Sequence, residues 1–589
     1  MPFYDAIRVG ASGAGDYEVE RSLRFNDNDS NYLNRTPSSA GNRKTWTWSA
    51  WIKRANIGSR QILFSADNNA THATYFMLEL QADDNLRALA GQETGSATLV
   101  KETSMVLRDT GAWYHIVFKF DATNATAVFY VNGQEITNYS STTNPSNQNF
   151  QVNATTQHFL GRFGSSLGTS YFDGYMAEVN FIDGQAYDSS YFGETNPVTG
   201  QWIPKKYVGS YGTNGFYLKF ADNSGTSATT LGKDSSGNGN NFTPNNFVTG
   251  DAVKDSPTNN FATMSPLAVS GDGNHPTFSE GNLKTMGPNS GIGKVGATFG
   301  LSSGKWYVEA RITQGGSNLQ IGIIFSGTNY ANNEYLGSGS DYAIAADTLN
   351  KKIRKEGSDN QTSLGGMQNG DILAFAIDMD NGTFQLYNNG STKGSQVSFT
   401  VANYAPVTFA QTTGADTGGT HWNFGADSSF AGAVTAQGNT DGNGQGDFYY
   451  SPPSGFLAVC SANLPDPTIL LPNKHFDIKL WSGNSSTQAI TGLNFSPDWV
   501  WSKRRSASSS HYLSDTIRGA HKILFSELTG AEYDGTSNND GVDSFDSNGF
   551  TFQNGTYVAD YNASGSTYVG WSWDAGETDS ATYTVKVVS

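Results

Sequence analysis

The hydrophobic positions of this chain recur at every second residue, and they do so in block after block. Residues 45 to 53, TWTWSAWIK, place Trp46, Trp48, Ala50 and Ile52 on one face. WYHIVFKFD aligns Tyr114, Ile116, Phe118 and Phe120, and ATAVFYVNGQEI aligns Ala127, Phe129 and Val131. Farther along, GKWYVEARI aligns Trp306, Val308, Ala310 and Ile312. GDILAFAIDMDNGTFQLYNNG aligns Leu373, Phe375, Ile377 and Met379, then Phe384 and Leu386 after a turn. Near the end, DWVWSKRR puts Trp499 and Trp501 together, and YVGWSWDAG pairs Trp571 with Trp573. Helical spacing is confined to two short stretches, SYFGE and DTIRGAHKIL. The pattern predicts an all-β chain of short antiparallel strands, arranged as tandem sandwiches.

One piece of this pattern occurs twice. FKFDATNATAVFYVNG (118–133) and FAIDMDNGTFQLYNNG (375–390) have the same length, open Phe-x-apolar-Asp and close Tyr-x-Asn-Gly. Asn-Gly is hairpin chemistry, because a type I′ turn needs positive φ at both central residues. Each copy reads as two adjacent strands with an Asp cap where strand gives way to turn. The repeat divides the chain. Residues 1–17 are a small, Gly-rich arm, suited to anchoring. Residues 18–190 form a first strand module, and 191–260 a returning strand (GFYLKFAD) with a Gly/Asn-rich linker. A second module spans 261–460, 461–475 is a linker, and 476–589 is a small C-terminal β domain.

Composition narrows the function. Aromatics make up 13% of the 589 residues and charged residues only 15%, which suits strands and tight turns over helices. The net charge of −17 argues against a nucleic-acid partner. A single cysteine, Cys460, excludes an intrachain disulfide and cysteine-based zinc sites. No run of about 18 apolar residues is present, so no membrane insertion is expected. The start, MPFYDAIRVG, carries no basic-then-apolar leader pattern.

Candidate chemistry is sparse. A retaining glycosidase needs two carboxylates about 5 Å apart. Glu178 and Asp183 lie five residues apart, which sends them to opposite faces of a straight strand. GSSLG (164–168) matches a nucleophile-elbow string without its strand–turn–helix setting. The histidines show no metalloenzyme spacing. No catalytic residue is therefore assigned, and no cofactor is required. Calcium is the one candidate ion, because loop carboxylates and carbonyls suit it. Its candidate ligands are Asp27 and Asp29 in NDNDS, Asp222 in ADNSG, and Asp441, Asn443 and Asp447 in DGNGQGD. The last string imitates the front of an EF-hand loop but has Pro452 at the twelfth position. The basic runs KKIRK and KRR read as solvated strand faces. Sugar binding calls for exposed aromatics beside amides and carboxylates, and Tyr171, Phe172, Tyr330, Tyr335 and Trp422 qualify by type.

The order of blocks TWSAWIKR, WYHIVFKFD, AVFYVNGQEI, HFLGRF and FDGYMAEVNFIDGQAY resembles the laminin-G/pentraxin-like branch of the concanavalin A-like sandwiches. The series SSGKWYVEARI, GDILAFAIDMDNGTFQLYNNG and HWNFG resembles a SPRY domain. The whole arrangement is similar to virion proteins of tailed phages, notably marine ones. That resemblance implies concanavalin A-like jelly rolls on an exposed appendage of a phage particle, made in the host cytoplasm. It implies a non-enzymatic tail fibre or adhesin that recognises a host-surface glycan or protein. The implied partners are other tail or capsid proteins and further copies of the chain, as in a trimer. A structural capsid-decoration or tail-bracing protein is the alternative reading, and a polysaccharide depolymerase a third.

Overall fold

The computed structural model describes residues 17–67, 74–91, 97–164, 170–270, 275–288, 290–314, 318–327, 334–338, 341–414, 418–465, 469 and 471–575. The chain divides into two compact units, Met1–Asn196 with Gln201–Pro467, and Pro197–Gly200 with Thr468–Ser589.

The first unit holds two antiparallel sandwiches. In the first, the strands Trp113–Asp121, Thr45–Arg54, Gly174–Asp183 and Ser22–Phe25 run side by side in one sheet. The facing sheet centres on Asn85–Gly91, Tyr75–Leu80, Gln61–Asp67, Gln157–Leu160 and Tyr32–Arg35. The predicted inward residues Trp46, Trp48, Ala50, Ile52, Ile116, Phe118, Phe120 and Phe129 are buried between them. Trp46 meets Phe76 of the other sheet edge-on at 5.0 Å. Each such side chain removed from water contributes about 2–3 kcal/mol, so the alternating face drives the packing.

Much of the stretch 201–260 is part of this sandwich. Phe216–Leu218 returns to pair with Gly174–Asp183, as its sequence suggested. The expected linker then adds two more strands, Thr243–Asn245 beside Tyr32–Arg35 and Ala252–Val253 beside Ser22–Phe25. Leu231, Phe242 and Phe247 drop into the core from between the turns. Isolated anchors of this kind leave no periodic trace in the sequence.

The second sandwich pairs Lys305–Gln314, Ile372–Asp378, Thr383–Asn388 and Gly419–Asn423 against a sheet containing Gln320–Phe325, Ala343–Asp347 and Val407–Gly414. The two repeated hairpins match in detail. Asp121 Oδ1 accepts from the main-chain N–H of Thr123 and Asn124, and Asp378 Oδ1 from those of Asp380 and Asn381. Asn132 and Gly133 have φ of 47° and 83°, and Asn389 and Gly390 have 49° and 77°. In both copies the asparagine side chain accepts from a main-chain N–H of the neighbouring strand, at 2.8 and 2.9 Å.

The sandwiches are fused back to back. Trp51, Trp113, Tyr175 and Ala177 on the outer face of the first meet Tyr307, Ala374, Ala376 and Ala458 on the second. Small residues let the sheets approach closely. Two buried ionic clusters cross this seam. Lys53 Nζ donates to Asp255 (2.8 Å), Asn260 (2.8 Å) and the Phe261 carbonyl (2.9 Å). Arg24, fully buried, meets Asp251 at 3.1 Å, Asp427 at 3.4 Å and Glu280 at 3.5 Å. Burial lowers the pKa of that guanidinium, but the three carboxylates outweigh it and raise it overall.

The second unit packs the sheet containing Gln488–Thr491, Gly549–Phe552 and Val542–Asp546 on the sheet containing Phe476–Ser482, Thr567–Trp573, Trp499–Arg504 and His511–Asp515. Trp481, Tyr512, Phe550, Phe552 and Tyr568 form its core. The predicted tryptophan pairs lie on the other, outer face. Trp499 stacks on Trp573 at 4.4 Å and Trp501 meets Trp571 at 5.6 Å. DTIRGAHKIL is a turn between the strands His511–Asp515 and Lys522–Phe525, not a helix. Ile517, 91% exposed, gives a helix nothing to bury there, and Arg518 is tied to Asp515 across the turn. SYFGE contributes to one 3₁₀ turn, Ser189–Tyr191.

Candidate functional site

The groups that looked most like chemistry are used by the fold. Glu178 sits at a bulge between Ala177 and Asn180 in the strand Gly174–Asp183, with φ of 51°. A left-handed glutamate costs about 1–2 kcal/mol, and the bulge turns its side chain into a pocket of tyrosines. Tyr17 donates to its carboxylate at 2.5 Å and Tyr217 at 2.6 Å. Burial raises its pKa against the lowering effect of both phenols. Asp183 is engaged elsewhere, accepting from Asn42 N, Asn214 N and the Asn153 amide. The two carboxylates do not share a site. GSSLG lies mostly outside the described residues.

A buried Ser–His pair is likewise structural. His115 Nε2 lies 2.9 Å from Ser49 Oγ, and Trp202 Nε1 donates to His115 Nδ1 at 2.9 Å. Nδ1 is thus the acceptor, Nε2 carries the proton, and the ring has no lone pair to offer the serine. Burial pushes its pKa down to about 3.

Most of the proposed calcium ligands are spent on N–H donors. Asp441 accepts from Asn443 N, Gln445 N and Ala458 N, each at 2.9 Å, and from Asn463 Nδ2 at 2.7 Å. Asn443 donates its amide to Asn463. Asp447 is half-buried with Oδ1 unpartnered, and burial raises its pKa. The EF-hand-like spacing is therefore a chain of Asx turns that staples the loop to the strand Leu457–Ala458. Asp222 binds Ser224 N and Oγ in another such turn. Asp29 accepts from Asn26 Nδ2, whereas Asp27 lines a cleft. Among the described residues no three His, Cys, Asp or Glu side chains converge as a metal cluster.

The aromatic candidates separate clearly. Phe172 and Trp422 are fully buried, which removes them from any surface. Phe172 meets Phe25 in the first core. Trp422 is an inward position of the strand Gly419–Asn423, stacked on Phe424 and donating to Gln411. Tyr330 lies outside the described residues. Tyr335 is half-buried in a turn closed by Ser338 N. Tyr171 alone belongs to a surface cluster. It lies 6.4 Å from Tyr32, and the Arg162 guanidinium sits 4.5 Å above Tyr32, 5.3 Å from Phe159 and 5.6 Å from Tyr171.

The geometry follows from strand alternation. Leu33 points into the core, so Tyr32 and Asn34 point out. Asn245 pairs with Tyr32 across the ladder and donates to Asn34 Oδ1 at 2.7 Å. Arg162 follows the strand Gln157–Leu160, and among the described residues no carboxylate pairs with it. The result is an outward face of two half-buried tyrosines, a guanidinium whose Nε donates to the Phe163 carbonyl at 2.9 Å and which has no carboxylate partner among the described residues, and two side-chain amides. Tyr32 and Arg162 were not singled out from sequence: Tyr32 has outward parity beside the core residue Leu33, whereas Arg162 shares the parity of the core residue Leu160 and lies beyond the end of that strand.

Family comparison finds three matches in tandem. Residues 26–187 match the concanavalin A-like lectin/glucanases superfamily, 305–426 the SPRY domain and 471–589 a domain of unknown function. The first two modules are thus a concanavalin A-like sandwich and a SPRY domain. No curated protein matches. Among solved structures, the SPRY domain of human HERC1 is 15% identical, covering 27% of this chain and 96% of that one, with a TM-score of 0.24. A pentraxin from Limulus polyphemus is 14% identical over 29% of this chain and 79% of that one (TM-score 0.23). Domains LG4-5 of the mouse laminin α1 chain are 10% identical over 68% and 84% (TM-score 0.24).

Proposed function

We propose that this protein is a non-enzymatic display protein of a phage particle whose first sandwich binds a host-surface glycan through the Tyr32–Arg162–Tyr171 face. The carrying observation is the convergence of aromatic rings, a guanidinium with no carboxylate partner among the described residues, and the Asn34 and Asn245 amides on one outward face. Tyrosine rings desolvate the apolar side of a pyranose, and amides read its hydroxyls. The two terminal nitrogens of a guanidinium grip a carboxylate in two-pronged fashion, so acidic sugars are the preferred class. Weak single sites would gain strength from multiple copies on the particle. The non-enzymatic reading is supported by the sealing of Glu178 by Tyr17 and Tyr217. The phage assignment rests on the order of modules along the chain.

One observation favours the structural alternative. Phe476, Ile478 and Leu480 are 38%, 45% and 62% exposed, and they extend the outer tryptophan face of the second unit. Those tryptophans pair with one another across the sheet. Screening the full chain on an array of neutral and acidic glycans tests the binding reading. Retention of acidic glycans supports it, and silence across the array transfers weight to the structural role.

A further inference from the structure

The strand Thr45–Arg54 buries a lysine in the first unit. Lys53, Asp255, Tyr175 and Phe261 are each at most 1% exposed, and Asn260 is 9% exposed. Lys53 Nζ donates to Asp255 Oδ2 at 2.8 Å, to Asn260 Oδ1 at 2.8 Å and to the Phe261 carbonyl at 2.9 Å. It also lies 5.7 Å from the centre of the Tyr175 ring. An amine, a carboxylate and a carboxamide are thus held in contact, inside an aromatic shell that keeps water away.

Further bonds orient each group. Asp255 Oδ1 accepts from Trp113 Nε1 and from Phe261 N, both at 3.2 Å, which turns Oδ2 to the amine. Asn260 donates Nδ2 to the Gly111 carbonyl at 2.8 Å, and its main-chain N–H donates to Ser461 Oγ at 2.8 Å. The carboxamide oxygen therefore faces Lys53. A 2.8 Å hydrogen bond to a carbonyl of ordinary length puts the carboxamide carbon about 3–4 Å from the amine nitrogen. Attack geometries begin in that range. A lysine amine becomes a nucleophile when a dry setting and an adjacent base take its proton. Asp255 is such a base, and the Asn260 carbon is the electrophile.

We propose that Lys53 and Asn260 join through a side-chain amide bond that the folded chain forms by itself, with Asp255 carrying the protons. Asp255 first takes a proton from the ammonium, leaving an amine and a carboxylic acid. The amine lone pair adds to Asn260 Cγ. One N–H proton of the attacking nitrogen passes to Asp255 as the acid's own proton passes to Asn260 Nδ2. The Cγ–Nδ2 bond breaks, the Nζ–Cγ bond remains, and one ammonia leaves on the side of the half-buried Gly111. Nothing is oxidised or reduced, no co-reactant is needed, and Asp255 ends as the neutral acid. The step replaces a buried ammonium and a buried carboxylate with two uncharged groups, which removes the desolvation cost of the pair. The bond ties the strand Thr45–Arg54 to the segment that leads into the second sandwich. It stands independently of the glycan reading.

Mass spectrometry of a tryptic digest of the full chain tests this. Trypsin cannot cut after an acylated lysine, so residues 45–54 should appear joined to residues 255–284 as one branched peptide. Its mass should be about 17 Da below that of the two linear peptides together, the loss of one ammonia. Lys53→Arg keeps the positive charge without the amine, and it should yield only linear peptides. Asp255→Asn keeps both joining partners, and its folded fraction should contain at least about tenfold less branched peptide. The wild-type digest decides the bond whether or not a variant folds. A wild type cut normally after Lys53, with residues 255–284 recovered as a linear peptide of full mass, overturns the proposal and leaves an ion pair. A branched peptide as abundant in Asp255→Asn as in the wild type overturns the role of Asp255.

Discussion

Glu309 shows how a single residue links burial to pH. It lies on the outer face of the strand Lys305–Gln314 and accepts from Tyr449 N at 2.9 Å, Tyr450 N at 2.7 Å, Asn423 Nδ2 at 3.1 Å and Tyr307 OH at 3.2 Å. Burial raises its pKa, these donors lower it, and burial prevails, at about 7 against the ordinary 4.5. The folded state thus holds this proton more tightly than the unfolded chain. The resulting stability is complete below about pH 4.5 and is lost as pH rises through about 7. Thermal unfolding followed between those limits should show a falling contribution from this group, and Glu309→Gln should flatten that slope. The variant should also lose about 1–3 kcal/mol, since its NH₂ group would face a main-chain N–H. At this scale the sequence was a partial guide. DGNGQGD and ADNSG were legible as Asp-rich loops, and turn chemistry alone accounts for Asp222 and Asp441. Trp422 was misread because HWNFG gives no sign of which ring faces inward, whereas Tyr171 lies beside Tyr32 and Arg162, which the sequence did not single out.

Strands and hairpins were the most legible elements. Period-two alternation identified the inward faces of both sandwiches because each strand has one side in an apolar core. It did not reveal that the strand Gly174–Asp183 is buried along all ten residues. The outer faces of Thr45–Arg54 and Gly174–Asp183 carry Ser49, Lys53 and Asn180, which look solvated until the second sandwich covers part of this sheet. The twin hairpins give a test at this scale. Gly133 has φ of 83°, and an added Cβ would come within 2.5 Å of Trp202. In the second copy, a Cβ on Gly390 would meet Tyr450 at 2.8 Å. Gly133→Ala and Gly390→Ala should each cost about 1–3 kcal/mol in denaturant unfolding, for the same two reasons of backbone strain and a blocked approach.

Across the first unit, the seam between the sandwiches is the feature that sequence concealed most fully. Its residues are scattered from Val19 to Cys460, and its ion pairs join positions more than 200 apart. Lys53→Ala leaves Asp255 buried with only Trp113 Nε1 and Phe261 N as donors. A loss of about 3–5 kcal/mol is expected by calorimetry, and the two sandwiches should unfold in one transition in the wild type. The most direct test is the affinity of the full chain for an acidic glycan, compared among the wild type, Arg162→Ala and Tyr171→Ala at equal thermal stability. Each variant is predicted to bind at least about tenfold more weakly, which corresponds to about 1.4 kcal/mol per site. Wild-type affinity in both variants would contradict the assignment of this face to glycan recognition.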